Sequence, residues 1–258
     1  MTDHRHRMLR RFHGHLHDAW RRLSLSTPTG WATDANGLTC MATGSSSPSF
    51  NLAISGGELA DPGSALAGAA ERYRRAALPW LLKLQPELDQ ELVAEALRRG
   101  VEFDEAPVSW MSLRPWSVGA RPTAGLSIVA AGKDTIEDAV QCFADAFGAD
   151  PDELRRELGP NLLTVPSFTV FIGYLAGEPV ATSMLATTPS VHLAGVYSVA
   201  TRPPHRGRGF GTALTSAALL EARARGYETA VLEPSPMGTP MYRRMGFEPL
   251  GTYLEAVM

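Results

Sequence analysis

The run from Val196 to Leu214, VYSVATRPPHRGRGFGTAL, constrains this chain more than any other stretch. A β-branched apolar segment enters it and an Ala/Leu-rich segment leaves it, so the pattern reads strand, loop, helix. Inside the loop, His205, Arg206 and Arg208 are interleaved with Gly207, Gly209 and Gly211. Glycines let the backbone take positive φ and approach a ligand with no Cβ in the way. The first turn of the following helix has N–H groups without intrahelical partners, and the aligned peptide dipoles favour an anion there. With guanidinium groups beside them as charge-assisted donors, these features predict a cradle for a phosphate or pyrophosphate.

Other phosphate and nucleophile motifs fit less well. GxxxxGK[ST] is absent, so no P-loop lysine can reach outer phosphates. The dinucleotide fingerprint GxGxxG is a poorer match, because Gly207, Gly209 and Gly211 alternate behind a long basic loop; Glu228 and Glu233 do follow near its acidic spacing. GxSxG is absent too, which leaves no nucleophile elbow. The 258 residues carry 24 Lys+Arg against 27 Asp+Glu, a net charge of −3. That balance argues against a nucleic-acid partner, which needs a concentrated cationic surface. No apolar run approaches the roughly 18–20 residues of a membrane span, and the amino end has no continuous apolar signal core, so a cytoplasmic protein with no membrane partner is expected. Cys40 and Cys142 have no metal-ligand spacing and are expected to be reduced and buried; no metal is called for.

Four segments organise the chain. Residues 1–23 hold five of the seven histidines (His4, His6, His13, His15, His17), and Met8, Phe12, Leu16, Trp20 and Leu23 recur at helical spacing. This predicts an amphipathic helix with a solvated basic face, a metal site or a partner contact being the other readings of its histidines. Residues 24–113 read as a first lobe, with strands near Leu38–Ala42, Phe50–Ile54, Pro79–Leu84 and Val108–Leu113 and helices over Pro62–Arg75 and from Glu87 to Gly100. Residues 114–124, with Arg114-Pro115 and Arg121-Pro122, read as a connector. Residues 125–258 read as a second α/β lobe: a helix from Thr135 to Phe147 with a capping box of Asp134 and Glu137, a hairpin of Phe168–Leu175 and Pro179–Thr187, and the strand, loop and helix above. LRRGVEF at 97–103 echoes YRRMGFE at 242–248, which suggests a duplicated lobe.

Arg206, Gly209 and Gly211, followed by the strand TAVLEPS and by MYRRMGFEPLG, resemble the acyl-CoA loop of the GCN5-related N-acetyltransferase (GNAT) family, clearly over residues 125–258. The resemblance implies a mixed α/β GNAT fold, a splayed mixed sheet flanked by helices, in two GNAT-like lobes. It implies acetyl-CoA or another short acyl-CoA as cosubstrate, with Ser198, Val199 and Ala200 pairing to the pantetheine arm. The diphosphate would lie on Arg206, Gly207, Arg208, Gly209, Phe210 and Gly211, with Thr212 near the helix start. It implies Tyr242 as the acid that protonates the leaving thiol and leaves the base open among Glu233, Glu178, His192 and ordered water. Ser235 stands where the family often has Asn. The acceptor is an amine on a small molecule, peptide or protein, and residues 1–124, with Trp80, Trp110 and Trp116, would shape its pocket, cover a sheet edge or form a homodimer surface. The competing reading is a noncatalytic acyl-CoA-binding module. The first lobe has no second Arg/Gly loop, so no catalysis is expected there.

Overall fold

A computed structural model describes residues 2–56, 59, 61–104, 108–113 and 123–258. The chain divides into two compact units, Met1–Trp110 with Gly251–Met258, and Met111–Leu250. Most of the expected connector, including Trp116, lies outside the described residues.

The first unit opens with α1 (Thr2–Ser26), then β1 (Trp31–Ala35), β2 (Leu38–Ala42), β3 (Asn51–Ser55), α2 (Pro62–Ala76), β4 (Leu81–Leu84) and α3 (Gln90–Arg98). Two strands occupy the region where one was expected. Asn36 and Gly37, with φ of 54° and 95°, make the tight turn that folds β1 back on β2. β2 and β3 are antiparallel, and β3 and β4 are parallel because α2 crosses between them. The core gathers Leu38, Cys40, Ala53, Leu66, Leu82 and Tyr73. The Tyr73 hydroxyl accepts from Met41 N–H and has the carbonyls of Met41 and Leu52 within reach, so its burial leaves no orphan, and Trp80 stacks on its ring at 4.8 Å. Trp80 is thus a core residue.

Three of the five histidines of α1 depart from the solvated-face expectation, while His4, Arg5, Arg7 and Arg10 are exposed as expected. Met8, Phe12, Leu16 and Leu23 are buried as the spacing requires, but so is His15. His13 contacts Tyr253 Oη and the carbonyl of Ser55, and His17 contacts Thr39 Oγ1. Burial, with Arg22 nearby, pushes His15 down to about 3 and holds it neutral.

The second unit takes β5 (Val108–Leu113) from Met111 onward, β6 (Leu126–Ala130), α4 (Ile136–Phe147), α5 (Pro151–Leu158), β7 (Phe168–Leu175), β8 (Glu178–Thr188), β9 (Leu193–Thr201), α6 (Phe210–Ala224), β10 (Ala230–Leu232) and α7 (Thr239–Arg244). Its strand order is β5-β10-β9-β8-β7-β6. β6 to β9 form an antiparallel meander, and β10 joins β9 in parallel after α6. Ala176 and Gly177, both at positive φ, turn the β7–β8 hairpin, so Glu178 begins a strand rather than sitting in the turn. The expected Asp134–Glu137 capping box does not form. Thr135 precedes α4 and its hydroxyl accepts from Gly132 N–H, while Glu137 accepts from Arg155 Nε at 2.8 Å.

Each unit therefore runs meander, helix, parallel strand, helix. The last strand, β11 (Glu248–Val257), follows α7 yet pairs antiparallel with β4, whereas β5, which follows α3, pairs antiparallel with β10. Each sheet is completed by the strand that chain order assigns to the other half. The LRRGVEF and YRRMGFE echo falls at the matching point of both, around α3 and α7, immediately before those strands.

Candidate active site

The site begins with an irregularity in β9. Thr182 pairs with Ala200 and Met184 with Tyr197, so Ser183 alone stands opposite both Ser198 and Val199. Ser198 absorbs the extra residue at φ 51°, a left-handed conformation that an L side chain adopts only under constraint. On its other edge, β9 pairs with β10 only through Ala194 and Gly195. Ser198, Val199 and Ala200 thus lie beyond the ladder that joins β9 to β10.

Below this opening lies the glycine and arginine loop. Gly207 and Gly209 have φ of 77° and 82°, with open space where a Cβ would point, so their requirement is conformational. α6 begins at Phe210 with Gly209 as its cap residue and no side chain capping it. Its first internal bond is from Ala213 N–H to the Gly209 carbonyl, which leaves the amides of Phe210, Gly211 and Thr212 without intrahelical acceptors. These amides border a cavity of about 400 Å³ that reaches from Gly207 and Thr212 to Val199, Ser235 and Tyr242.

The two arginines do different work. Arg206 donates from Nη2 to the Ala146 carbonyl at 2.7 Å and from Nε to the Thr201 carbonyl at 3.3 Å, so it braces the loop against the C-terminal end of α4. Arg208 is exposed, its guanidinium 4.9 Å above the Phe210 ring. The Phe210 side chain belongs to the core, which leaves its backbone for a ligand. Upstream, Arg202 holds Asp145 at 2.7 Å and Glu178 at 2.9 Å, fixing the loop's entry to α4 and β8.

Tyr242 lines the cavity but is itself buried, edge-on to Phe247. Its hydroxyl is hydrogen-bonded to Thr215, which donates onward to the Gly211 carbonyl at 2.9 Å. Burial pushes this phenol up to about 12, so it stays protonated across the neutral range. The Ser235 hydroxyl accepts from Gly238 N–H at 3.2 Å and shapes the turn into α7. Glu233 is exposed at the end of β10 and is not among the cavity walls. Two residues beyond the Val231–Gly195 pair, it stands level with Tyr197, whose phenol is pushed up by burial first and by Glu233 second.

The remaining base candidates are placed elsewhere. Glu178 is paired with Arg202. His192 stacks on Tyr227 at the opposite end of β9, about 20 Å along the strand from Ser198. Tyr197, Thr215, Phe147, Met241 and Arg244 belong to this region without having been picked out in sequence. Their shared signal is nearness in space to the loop, which a one-dimensional pattern does not carry.

In the first unit the matching helix, α2, is closed. The carboxylate of Asp61 accepts from the amides of Gly63 and Ser64, occupying the position where α6 would present free donors. The Ser64 hydroxyl and these amides hold the Asp61 carboxyl below its usual range. The chain's own anion thus fills the helix start that corresponds to the loop in the first unit.

A bulged strand thus stands beside a glycine loop that feeds an uncapped helix. The sequence model described as an acetyltransferase (GNAT) domain matches residues 127–250. A GCN5-related N-acetyltransferase from Kribbella flavida superposes with a TM-score of 0.75 at 21% identity, covering 96% of this chain and 94% of that one. A conserved protein of unknown function from Staphylococcus epidermidis gives 0.62 at 12% identity over 89% and 94%. A tandem GNAT protein from the clavulanic acid biosynthesis pathway gives 0.58 at 17% identity over 85% and 78%. These likenesses establish the fold across both units. Among curated protein sequences, none matches this one.

Proposed function

We propose that this protein transfers an acetyl or other short acyl group from acyl-CoA to a primary amine by direct attack. The observation that carries the reading is the set of unengaged amides at Phe210–Thr212, opening onto a cavity that runs up to the bulge in β9. In it the diphosphate lies on those amides, Arg208 adds charge from the rim, and Arg206 keeps the loop in shape. The pantetheine arm lies along the open edge of β9 at Ser198, Val199 and Ala200, and the thioester carbonyl accepts from the Val199 or Ala200 amide.

The amine nitrogen attacks the carbonyl carbon as a neutral lone pair. The C–N bond forms, the oxyanion is held by the backbone amide, and the C–S bond then breaks with its electron pair on sulfur. Tyr242 gives its proton to that sulfur, and the amine's surplus proton leaves through Glu233 or water. The products are an amide and free CoA thiol. A small molecule, a peptide amino terminus and a protein lysine all satisfy this chemistry.

The test is release of free thiol from acetyl-CoA across a panel of amines. Turnover that requires the amine supports transfer. Tyr242→Phe should lower turnover by roughly 10²- to 10⁴-fold with little change in CoA affinity; unchanged turnover would remove Tyr242 from the acid role. Glu233 stands outside the cavity walls, which favours a second reading, an acyl-CoA-binding module without transfer. That reading gains if CoA binds and no amine in the panel is acylated.

A further inference from the structure

β9 carries one ionisable side chain, Tyr197, and places it on the last regular rung before the bulge, opposite Met184. Val196, the residue before it, packs with Phe210 and Tyr242 on the α6 side of the sheet, so strand alternation sends Tyr197 to the α4 side. Its partner Met184 is on that side too, bordering a crevice with Ser198 and with Ala139 and Phe143 of α4. β10 repeats the arrangement. Ala230 and Leu232 join the α6-side core, Val231 pairs with Gly195, and Glu233 comes level with Tyr197 on the same face, two residues beyond the end of that ladder. Level residues of neighbouring strands stand about 5 Å apart at their backbones. The Tyr197 phenol is pushed up by burial and by the charge of Glu233, so the carboxylate is felt at the phenol.

We infer that Tyr197 carries the acceptor amine's surplus proton to Glu233, a relay on the α4 face that complements Tyr242 on the α6 face. The inference rests on the transfer reading above, which puts the thioester carbonyl at the Val199 or Ala200 amide. That is two or three residues from Tyr197, about 7–10 Å of strand, and a long side chain leans along its strand. Acid and base then stand on opposite faces of the sheet with the reacting carbon at the bulge, so neither competes for the other's proton. Once the C–N bond has formed, the nitrogen's surplus proton passes to the phenol oxygen as the phenol's own proton passes to a carboxylate oxygen of Glu233. The phenol ends as it began, and Glu233, exposed at the end of β10, gives the proton to water. Tyr197 never ionises, the course that its burial and the neighbouring carboxylate favour. The relay lets Glu233 serve although it is not among the cavity walls, whereas Glu178 is held by Arg202 and His192 lies at the other end of β9.

Steady-state thiol release by the full chain from acetyl-CoA, with benzylamine, tyramine, lysine amide and an alanyl peptide as acceptors, tests this beside a calorimetric titration with CoA. Tyr197→Phe keeps the ring and removes only the oxygen. With the amine that the wild type acylates fastest, its kcat should fall by roughly 10²-fold or more while CoA affinity stays within about threefold. Glu233→Gln should lose a similar factor, and the double variant should be no slower than the slower single one, since one relay breaks only once. Adding Tyr242→Phe should multiply the loss instead. Tyr197→His again offers one atom to accept and one to donate, and should run about tenfold or more faster than Tyr197→Phe; a role in packing alone gives the reverse order, and this second variant keeps the question answerable if the first fails to fold. Turnover of Tyr197→Phe within about threefold of wild type overturns the inference, as do Tyr197→Phe and Glu233→Gln losses that multiply. Absence of turnover with every amine overturns the transfer reading and the relay with it, and is distinguishable because the wild type shows it before any variant is compared.

Discussion

Gly209 and Gly211 are both loop-signature glycines, yet they are needed for different reasons. Gly209 holds φ 82° in open space, so any side chain there meets a conformational penalty and no clash. A Cβ on Gly211, inside α6, would stand 3.2 Å from Met241 Sδ, a neighbour that can give way. Gly209→Val should therefore cost roughly 1–3 kcal/mol in urea unfolding and weaken CoA binding more than tenfold, whereas Gly211→Ala should do markedly less of both. Arg206 and Arg208 separate in the same manner. Arg206→Ala removes two bonds to carbonyls and should loosen the loop and weaken CoA binding even at high salt, while the effect of Arg208→Ala should fade as salt rises. Titrations at low and high ionic strength check the pair. Residue types and spacing made the loop legible, because a glycine at positive φ followed by an uncapped helix is a local property. The brace that Arg206 makes to Ala146, and the bond from Tyr242 to Thr215, join positions far apart in the chain and leave no periodic trace.

At the scale of elements, α1 shows how a helix can be read correctly and its faces only in part. The four-residue spacing of Met8, Phe12 and Leu16 announces the buried stripe, but one apolar stripe does not reveal that β2, β3 and β11 cover further sides of the helix through His13 and His17. A consequence follows for pH. His15 is held neutral in the folded unit down to about pH 3, whereas in the unfolded chain it takes up a proton near 6.5. Its contribution is fully present above pH 6.5 and is lost as the pH falls below that value. By linkage the unfolding free energy should drop by about 2 kcal/mol from His15 alone between pH 7 and pH 5, with His17, also lowered chiefly by burial, acting in the same direction. Denaturant unfolding at the two pH values should show this, and His15→Gln should flatten it. A pH-independent midpoint would mean that the helix is not packed on its histidine side. Strand β1, WATDA, went unread for a related reason: five residues of mixed polarity are too short for a period-2 pattern to stand out.

Across the whole molecule the two units repeat one topology, and each takes its last strand from a distant part of the chain. The duplicated class of fold was legible from the α3 and α7 echo, but the assignment of β11 to β4 was not, since pairing between a strand near residue 82 and one near residue 256 has no local signature. Deleting Gly251–Met258 should therefore speed amide exchange in β4 and α1, leaving β7 to β9 protected; loss of protection in the second unit alone would contradict the observed pairing. The α2 start is closed by Asp61 on its own amides and the α6 start is open, so in the proposed function the cradle belongs to the second unit. That cradle is the centre of the account, and backbone amide NMR during a CoA titration tests it most directly. The amides of Arg208 to Thr212 should show the largest shifts, downfield as they donate to the diphosphate. Saturation with CoA while those five resonances stay in place would contradict it.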